Sequence, residues 1–66
     1  MKNNLKVERA ILNMTQDELA RTIQVSRQTI NALEAGKYVP STVLALKIAQ
    51  VFQKPVEAIF SLEADD

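Results

Sequence analysis

The stretch TQDELARTIQVSRQTINALEAGK, residues 15–37, decides the fold of this 66-residue chain. It begins with the capping-box pattern, in which Thr15 accepts a hydrogen bond from the backbone at Glu18 and the Glu18 carboxylate accepts one from the Thr15 amide. This pattern predicts that a short helix begins after Thr15, and the apolar spacing carries it to about Thr22. Its inner face is expected to be Leu19, Ala20 and Ile23.

A second short helix follows after a turn of three residues. Ser26 is a favourable N-cap, and Gly36 can adopt the left-handed conformation that ends a helix, so we predict a helix through about Ala35. The connection is too short for antiparallel helices, so they must cross steeply, and the small side chain of Ala20 permits this approach. The pattern predicts a helix-turn-helix over about residues 16–35, an arrangement that places the start of its second helix in a DNA major groove.

The rest of the chain is also predicted to be helical, because Gly and Pro are rare and no alternation of apolar and polar residues persists. No linker or repeat interrupts it, so a single domain over residues 1–66 is expected. The further predicted elements are a helix from about Leu5 to Leu12, a helix of sequence TVLALKIAQVF capped by Ser41, a last helix from Pro55 to about Phe60, and a frayed tail EADD.

The composition excludes several classes of protein. The chain has no cysteine and no histidine, which excludes disulfides and the usual zinc sites. No apolar stretch is long enough to span a bilayer, and we expect a cytoplasmic protein. A formal net charge of zero argues against a protein that coats nucleic acid by charge alone. Neither a catalytic set nor a glycine-rich phosphate loop can be assembled, so no enzyme activity, cofactor, metal or small-molecule ligand is expected.

The polar face of the second predicted helix carries side chains suited to base edges. Arg27 offers a bidentate fork to guanine O6 and N7, and Gln28 offers a donor and an acceptor to adenine N6 and N7. Thr29 can give its methyl group to thymine or its hydroxyl to a phosphate. The face therefore favours sequence-specific contact with double-stranded DNA.

Two residues at the helix starts are candidates for phosphate contact. Gln16 and Ser26 begin their helices where a DNA backbone would pass, and the free amides of a first turn favour anions. A plainer interpretation exists, in which the polar face is solvated and Ser26 is only a cap. The joint pattern of two capped short helices, a small residue, a tight turn and a closing glycine favours DNA binding over this alternative.

At these residues the sequence resembles the Cro/repressor-type helix-turn-helix family. The stretch quoted above, followed by PS at residues 40–41 and LKIA at residues 46–49, matches the family pattern, and the resemblance covers nearly the whole chain. It implies an all-α, compact five-helix domain of the lambda-repressor type, with the two termini paired as a small antiparallel two-stranded sheet.

The resemblance also implies roles for individual residues. Arg9 and Glu34 match a buried ion pair that ties the first helix to the end of the recognition helix. Three groups of positions match DNA contacts: Arg27, Gln28 and Ala32 face bases, with Thr29 counted beside them; Gln16, Ser26 and Lys37 contact phosphates; and Tyr38 lies near the backbone.

Three positions depart from the family pattern. Asn13 and Gln24 stand where the family often has glycine, at turns that favour a positive φ. Asparagine tolerates the left-handed region well, whereas Gln24 is expected to cost roughly 1 kcal/mol. Ala32 replaces what is often a longer polar residue, so it can meet a thymine methyl but cannot hydrogen-bond a base.

Surplus apolar residues near the end of the chain predict self-association. One small domain contacts few base pairs, whereas two copies would bind half-sites about 34 Å apart. The resemblance also implies a homodimer, and we predict that its contact is formed by Leu44, Val56, Phe60 and Leu62.

The sequence thus favours a transcriptional regulator, most simply a repressor that occupies an operator. Two alternatives stay open. One is an antitoxin-like protein that also neutralises a partner protein, and the other is a protein-interaction module whose helix-turn-helix no longer binds DNA. Acidic residues at the start of the recognition helix would favour the second alternative, but Arg27 and Gln28 stand there.

Overall fold

Five short helices follow one another along the chain, and a two-stranded sheet joins its ends. The structure is a computed structural model that describes residues 1–66. The predicted five-helix fold with a terminal antiparallel sheet is confirmed. In chain order the elements are β1 (Lys2–Asn3), α1 (Leu5–Ile11), α2 (Gln16–Ile23), α3 (Arg27–Glu34), α4 (Thr42–Phe52), α5 (Val56–Ile59) and β2 (Phe60–Ser61).

The first four helices begin where the sequence predicts, whereas α5 begins at Val56 rather than at Pro55. Both bonds of the capping box before α2 are present, from Glu18 N to Thr15 Oγ1 and from Thr15 N to Glu18 Oε1, each 3.0 Å long. The hydroxyls of Ser26 and Ser41 accept from the third backbone amide of α3 and α4, each at 3.1 Å. Each cap satisfies an amide that has no partner inside its own helix.

The first four helices share one kind of ending. A residue with a positive φ follows each helix, and the next amide bonds back to a carbonyl five residues earlier, as in the Schellman motif. The bond from Val25 N to Ala20 O, 2.9 Å, is an example. Only one of the four positive-φ residues is glycine; they are Asn13 (52°), Gln24 (61°), Gly36 (73°) and Gln53 (54°). The first three match the expected turns, whereas Gln53 was not predicted.

The core lies between the inner faces of all five helices. Six of its side chains are almost completely inaccessible: Leu5, Leu19, Ile30, Leu33, Ile48 and Ile59. Ala20 and Ile23 are buried beside Leu19, as predicted for the inner face of α2. Leu12 is 50% exposed, because α1 ends at Ile11 and the chain turns away from the core there.

The end of the chain differs from the prediction. The last helix ends at Ile59 rather than Phe60, because Phe60 pairs with Asn3 across the sheet. Pro55 precedes this helix as its N-cap. The tail is folded into a turn rather than frayed, since Glu63 N donates to Asp66 Oδ2 at 2.6 Å and the terminal ammonium group donates to Asp66 Oδ1 at 3.3 Å.

A buried carboxylate on α1 was not predicted. Glu8 is only 6% exposed, and Lys54 Nζ, in the loop after α4, lies 2.9 Å from its Oε2. The pair joins α1 to the end of α4.

The longest helix has 11 residues, and no helix is long and apolar enough to cross a membrane.

Candidate nucleic-acid interface

Helices α2 and α3 cross with their apolar sides together and their polar sides exposed. Ala20 and Ile23 on α2 are 4% and 3% exposed, and Ile30 and Leu33 on α3 are completely buried. The residues between the helices are held by the bond from Val25 N to Ala20 O. This packing leaves the outer side of α3 free along its whole length.

Two shallow depressions cover this outer side. Gln16 lies in the first, which has no hydrophobic lining, and Lys37 lines the second. The structure therefore brings together on one surface all eight residues predicted to contact DNA. The first depression is lined by Gln16, Arg27, Gln28 and Asn31, and the second by Ser26, Gln28, Thr29, Ala32, Lys37 and Tyr38.

Asn31 is a candidate contact residue that the sequence prediction omitted. It is exposed and shares the first depression with Arg27 and Gln28. Its spacing, four residues after Arg27 and three after Gln28, places it on the same side of a helix, and this spacing was the signal that could have identified it.

The start of α3 combines a cap with free donors. The Ser26 hydroxyl accepts from Thr29 N and also lies 3.0 Å from Thr29 Oγ1, so the two hydroxyls are hydrogen-bonded to each other. The amides of Arg27 and Gln28 donate to no group of the chain. Two donors at a positive helix end thus face the solvent beside the second depression.

Behind the exposed surface lies a buried ion pair between α1 and α3. Arg9 Nε donates to Glu34 Oε2 at 2.5 Å and a terminal nitrogen of Arg9 donates to Glu34 Oε1 at 3.1 Å, while its other terminal nitrogen donates to Met14 O at 2.9 Å. Burial acts to raise the pKa of Glu34, but hydrogen bonds from Arg9 and Gln16 and the charges of Arg9 and Lys6 lower it below its ordinary value. Glu34 is therefore a carboxylate at neutral pH.

Gln16 connects this ion pair to the exposed surface. Its Nε2 donates to Glu34 Oε1 at 3.0 Å, and its Oε1 accepts from Arg27 Nε at 3.3 Å. The side chain was predicted only as a phosphate contact, and its internal bonds were missed because spacing along the sequence does not specify a rotamer. The result is a chain of hydrogen bonds from Arg9 through Glu34 and Gln16 to Arg27.

A family model for the helix-turn-helix matches residues 5–59, a range that contains all five helices. The chain belongs to the helix-turn-helix family. It is 54% identical over 66 residues to a protein of Methanocaldococcus jannaschii described as an uncharacterized HTH-type transcriptional regulator, and the match covers 100% of both chains.

Two further relatives carry the same description. The chain is 46% identical to YgzD of Bacillus subtilis, with 100% of both chains covered. It is 48% identical to a protein of Archaeoglobus fulgidus, with 100% of this chain and 93% of the relative covered. The chain thus matches nearly the full length of each of these three relatives.

The four residues predicted to form a dimer contact occupy different environments in this helix-turn-helix domain. Leu44 and Phe60 are each 7% exposed and belong to the core; β2 directs Phe60 inward and Ser61 outward. Val56 is half-buried and Leu62 is 79% exposed. Only Val56 and Leu62 thus present substantial apolar surface to a second molecule.

An apolar groove lies on the side of the helix-turn-helix domain that carries α4 and α5. We call it the α4–α5 groove; its lining includes Val39, Ala45, Leu46, Val56 and Phe60. Val39 is 62% and Leu46 53% exposed, which is high for large apolar side chains. The groove shares no lining residue with the two depressions over α3.

Proposed function

We propose that this protein is a sequence-specific transcriptional regulator, and most simply a homodimeric repressor that occupies an operator with α3 in the major groove. The observation that carries the proposal is the gathering of the eight expected contact residues, and no acidic residue, in the two depressions over α3. The descriptions of the relatives as HTH-type transcriptional regulators support the regulatory role.

The chemistry of the first turn of α3 supports base recognition. Arg27 and Gln28 are exposed at the end of the helix that enters a major groove in such domains. Arg27 would donate to guanine, Gln28 would bond adenine, and Ala32 would contact a thymine methyl. Thr29 contributes its methyl group, since its hydroxyl is engaged with Ser26.

The borders of the same surface suit phosphates. Lys37 and Tyr38 line the second depression at the end of α3, and the free amides of its first turn lie at the opposite end. Donors at both ends of the helix would position it along the groove, whereas the side chains between them would read the sequence.

The α4–α5 groove supports the homodimer. A second copy could cover Val39, Leu46 and Val56 without contacting α3, which would leave both recognition helices free for the DNA. A twofold arrangement would place them on half-sites about one helical turn apart.

Selection from a randomised duplex library at about physiological salt tests the proposal. We expect an enriched motif with twofold symmetry and half-sites about one turn apart. An asymmetric short motif would retain DNA binding and reject the symmetric dimer. If folded protein enriches nothing, autonomous DNA binding is wrong, and the search turns to a partner protein, as in an antitoxin-like or protein-interaction module.

A further inference from the structure

Gln16 joins the two ends of the recognition helix through one amide group. The amide bonds Glu34, the last residue of α3, at 3.0 Å and Arg27, the first residue of α3, at 3.3 Å. Gln16 is half-buried on the neighbouring helix, whereas Arg27 is exposed. An otherwise mobile arginine is thus attached to a more buried residue.

The charges on both sides fix which way the amide points. A carboxylate only accepts hydrogen bonds and a guanidinium group only donates them. The NH₂ group of Gln16 must therefore face Glu34, and its carbonyl oxygen must face Arg27. Glu34 is itself held by two bonds from Arg9, so the amide is oriented by a rigid carboxylate.

The bond to Arg27 uses its Nε atom and leaves both terminal nitrogens unbonded. An arginine can grip guanine O6 and N7 either with its two terminal nitrogens or with Nε and one terminal nitrogen. The bond from Nε to Gln16 removes the second possibility. Because the side chain is already partly fixed, less conformational entropy is lost when DNA binds.

We propose that Glu34 acts through Gln16 to present Arg27 to guanine by its two terminal nitrogens, so that Gln16 and Glu34 are positioning residues for base recognition. This inference rests on the proposed function, since it concerns how the same surface discriminates between bases. It assigns Gln16 a role beyond phosphate contact.

The first test is sequence discrimination by Gln16→Met, which keeps the length of the side chain but removes the acceptor. The operator position that loses its preference in Arg27→Ala identifies the base read by Arg27. We expect Gln16→Met to reduce discrimination at that position by about two- to tenfold, the range of one net hydrogen bond, and to leave other positions unchanged. In the Arg27→Ala background the same change should have no further effect on discrimination at that position.

Gln50→Met is the matched control. Gln50 is exposed on α4, makes no side-chain hydrogen bond and lies outside both depressions, so discrimination should stay at the wild-type level. If Gln16→Met weakens binding equally on all sequences, Gln16 is only a phosphate contact and the inference is overturned. If the wild-type protein enriches no motif, the proposed function is wrong, and this inference, which rests on it, is wrong as well.

Gln16→Glu tests the part played by Glu34. A carboxylate at residue 16 is a stronger acceptor for Arg27 than an amide, but it would face Glu34 without a donor between them. We therefore expect this variant to lose discrimination as Gln16→Met does. Preserved discrimination would show that Arg27 needs only an acceptor, and that Glu34 has no positioning role.

NMR of the free protein tests the bonds without DNA. The Arg27 Nε–H proton should exchange with water faster in Gln16→Met than in the wild-type protein, and Gln50→Met should leave the rate unchanged. Equal rates in all three proteins would show that the bond does not hold Arg27 in solution, which overturns the inference whatever the library selection gives.

Discussion

Glu34 keeps only 2% of its side chain exposed and is nevertheless ionised, because Arg9 and Gln16 both donate to it. A carboxyl whose folded-state pKa is lowered adds stability above its unfolded pKa, and this contribution is lost as the pH falls through the folded pKa. Glu34 therefore couples the packing of α3 on α1 to pH in the acidic range.

Removal of Arg9 should reveal this coupling. At pH 7, Arg9→Met leaves Glu34 buried without its main partner, and we expect the free energy of unfolding to fall by about 3–5 kcal/mol. Burial then raises the pKa of Glu34. Protonation of Glu34 therefore removes an unpaired buried charge in the variant and stabilises it, whereas in the wild type it weakens the ion pair and lowers stability. Denaturant unfolding of both proteins from pH 7 to 3 should show the difference shrinking on both sides of the ordinary carboxyl pKa, above it because the variant gains stability and below it because the wild type loses stability; a constant difference would contradict this explanation.

Arg27 should carry specificity as well as affinity. Arg27→Ala is expected to weaken operator binding by about 1–3 kcal/mol and to relax the preference at one position. Arg27→Lys keeps the charge but not the planar fork, so it should relax the same position while the salt dependence stays near the wild type. Titrations of matched and singly changed duplexes would measure both effects, and losses that merely follow the loss of folded protein would contradict them.

Lys37 should act differently, because its expected partner is a phosphate. Lys37→Ala should weaken binding about equally on operator and altered duplexes and reduce the slope of log K against log salt by about one. The measurement is a salt titration from low to physiological ionic strength. A sequence-dependent loss would place Lys37 among the base contacts instead.

At the scale of the elements, a change from glutamine to glycine should affect stability differently after the end of α4 and inside this helix. Gln53 has a φ of 54° after α4, a conformation that costs a side chain about 1–2 kcal/mol but costs glycine little. Gln53→Gly should therefore leave stability unchanged or raise it by up to about 1 kcal/mol. Gln50→Gly, inside the same helix, should lower it by about 1 kcal/mol. Thermal and denaturant unfolding would measure both, and equal destabilisation would contradict the strain at Gln53.

The elements also show which features of the fold could be predicted from the sequence. Caps and the turn at Gly36 depend on residues within four positions of each other, so the patterns predicted them. The end of α5 depends on the pairing of Phe60 with Asn3, and the burial of Glu8 depends on Lys54. These partners are far apart in sequence, and no local pattern reveals them. The folded structure places the eight expected contact residues on one surface. The hydrogen bonds of Gln16 could be identified only from that structure.

At the scale of the whole molecule, the α4–α5 groove carries the prediction about assembly. Leu46→Glu places a charge in the groove and should shift the protein to a monomer, because a buried unpaired charge opposes association. Val43→Glu is the matched control, since Val43 is on the same helix, is 64% exposed and does not line the groove. Sedimentation equilibrium would measure both; a monomeric wild type, or equal effects of both changes, would reject this surface.

Phe60 is not a suitable position for that test. It is 7% exposed and belongs to the core, so a charge there would unfold the domain. A loss of dimer in such a variant would not identify the interface. The same holds for Leu44. The interface hypothesis therefore depends on the exposed residue Leu46, on the half-buried Val56 and on the exposed Leu62.

The terminal sheet also affects the order in which the molecule is completed. The bond from Asn4 N to Ile59 O and the pairing of Lys2 with Ser61 close a loop of nearly the whole chain, whereas α2 and α3 pack across a three-residue turn. Closing the larger loop costs more chain entropy, so the DNA-contacting helices can form early and the α4–α5 groove is finished last. A new copy would then complete its DNA-contacting surface before its pairing surface, with a delay set by closure of its own chain, and the cellular concentration of the protein would set only how soon two completed copies pair.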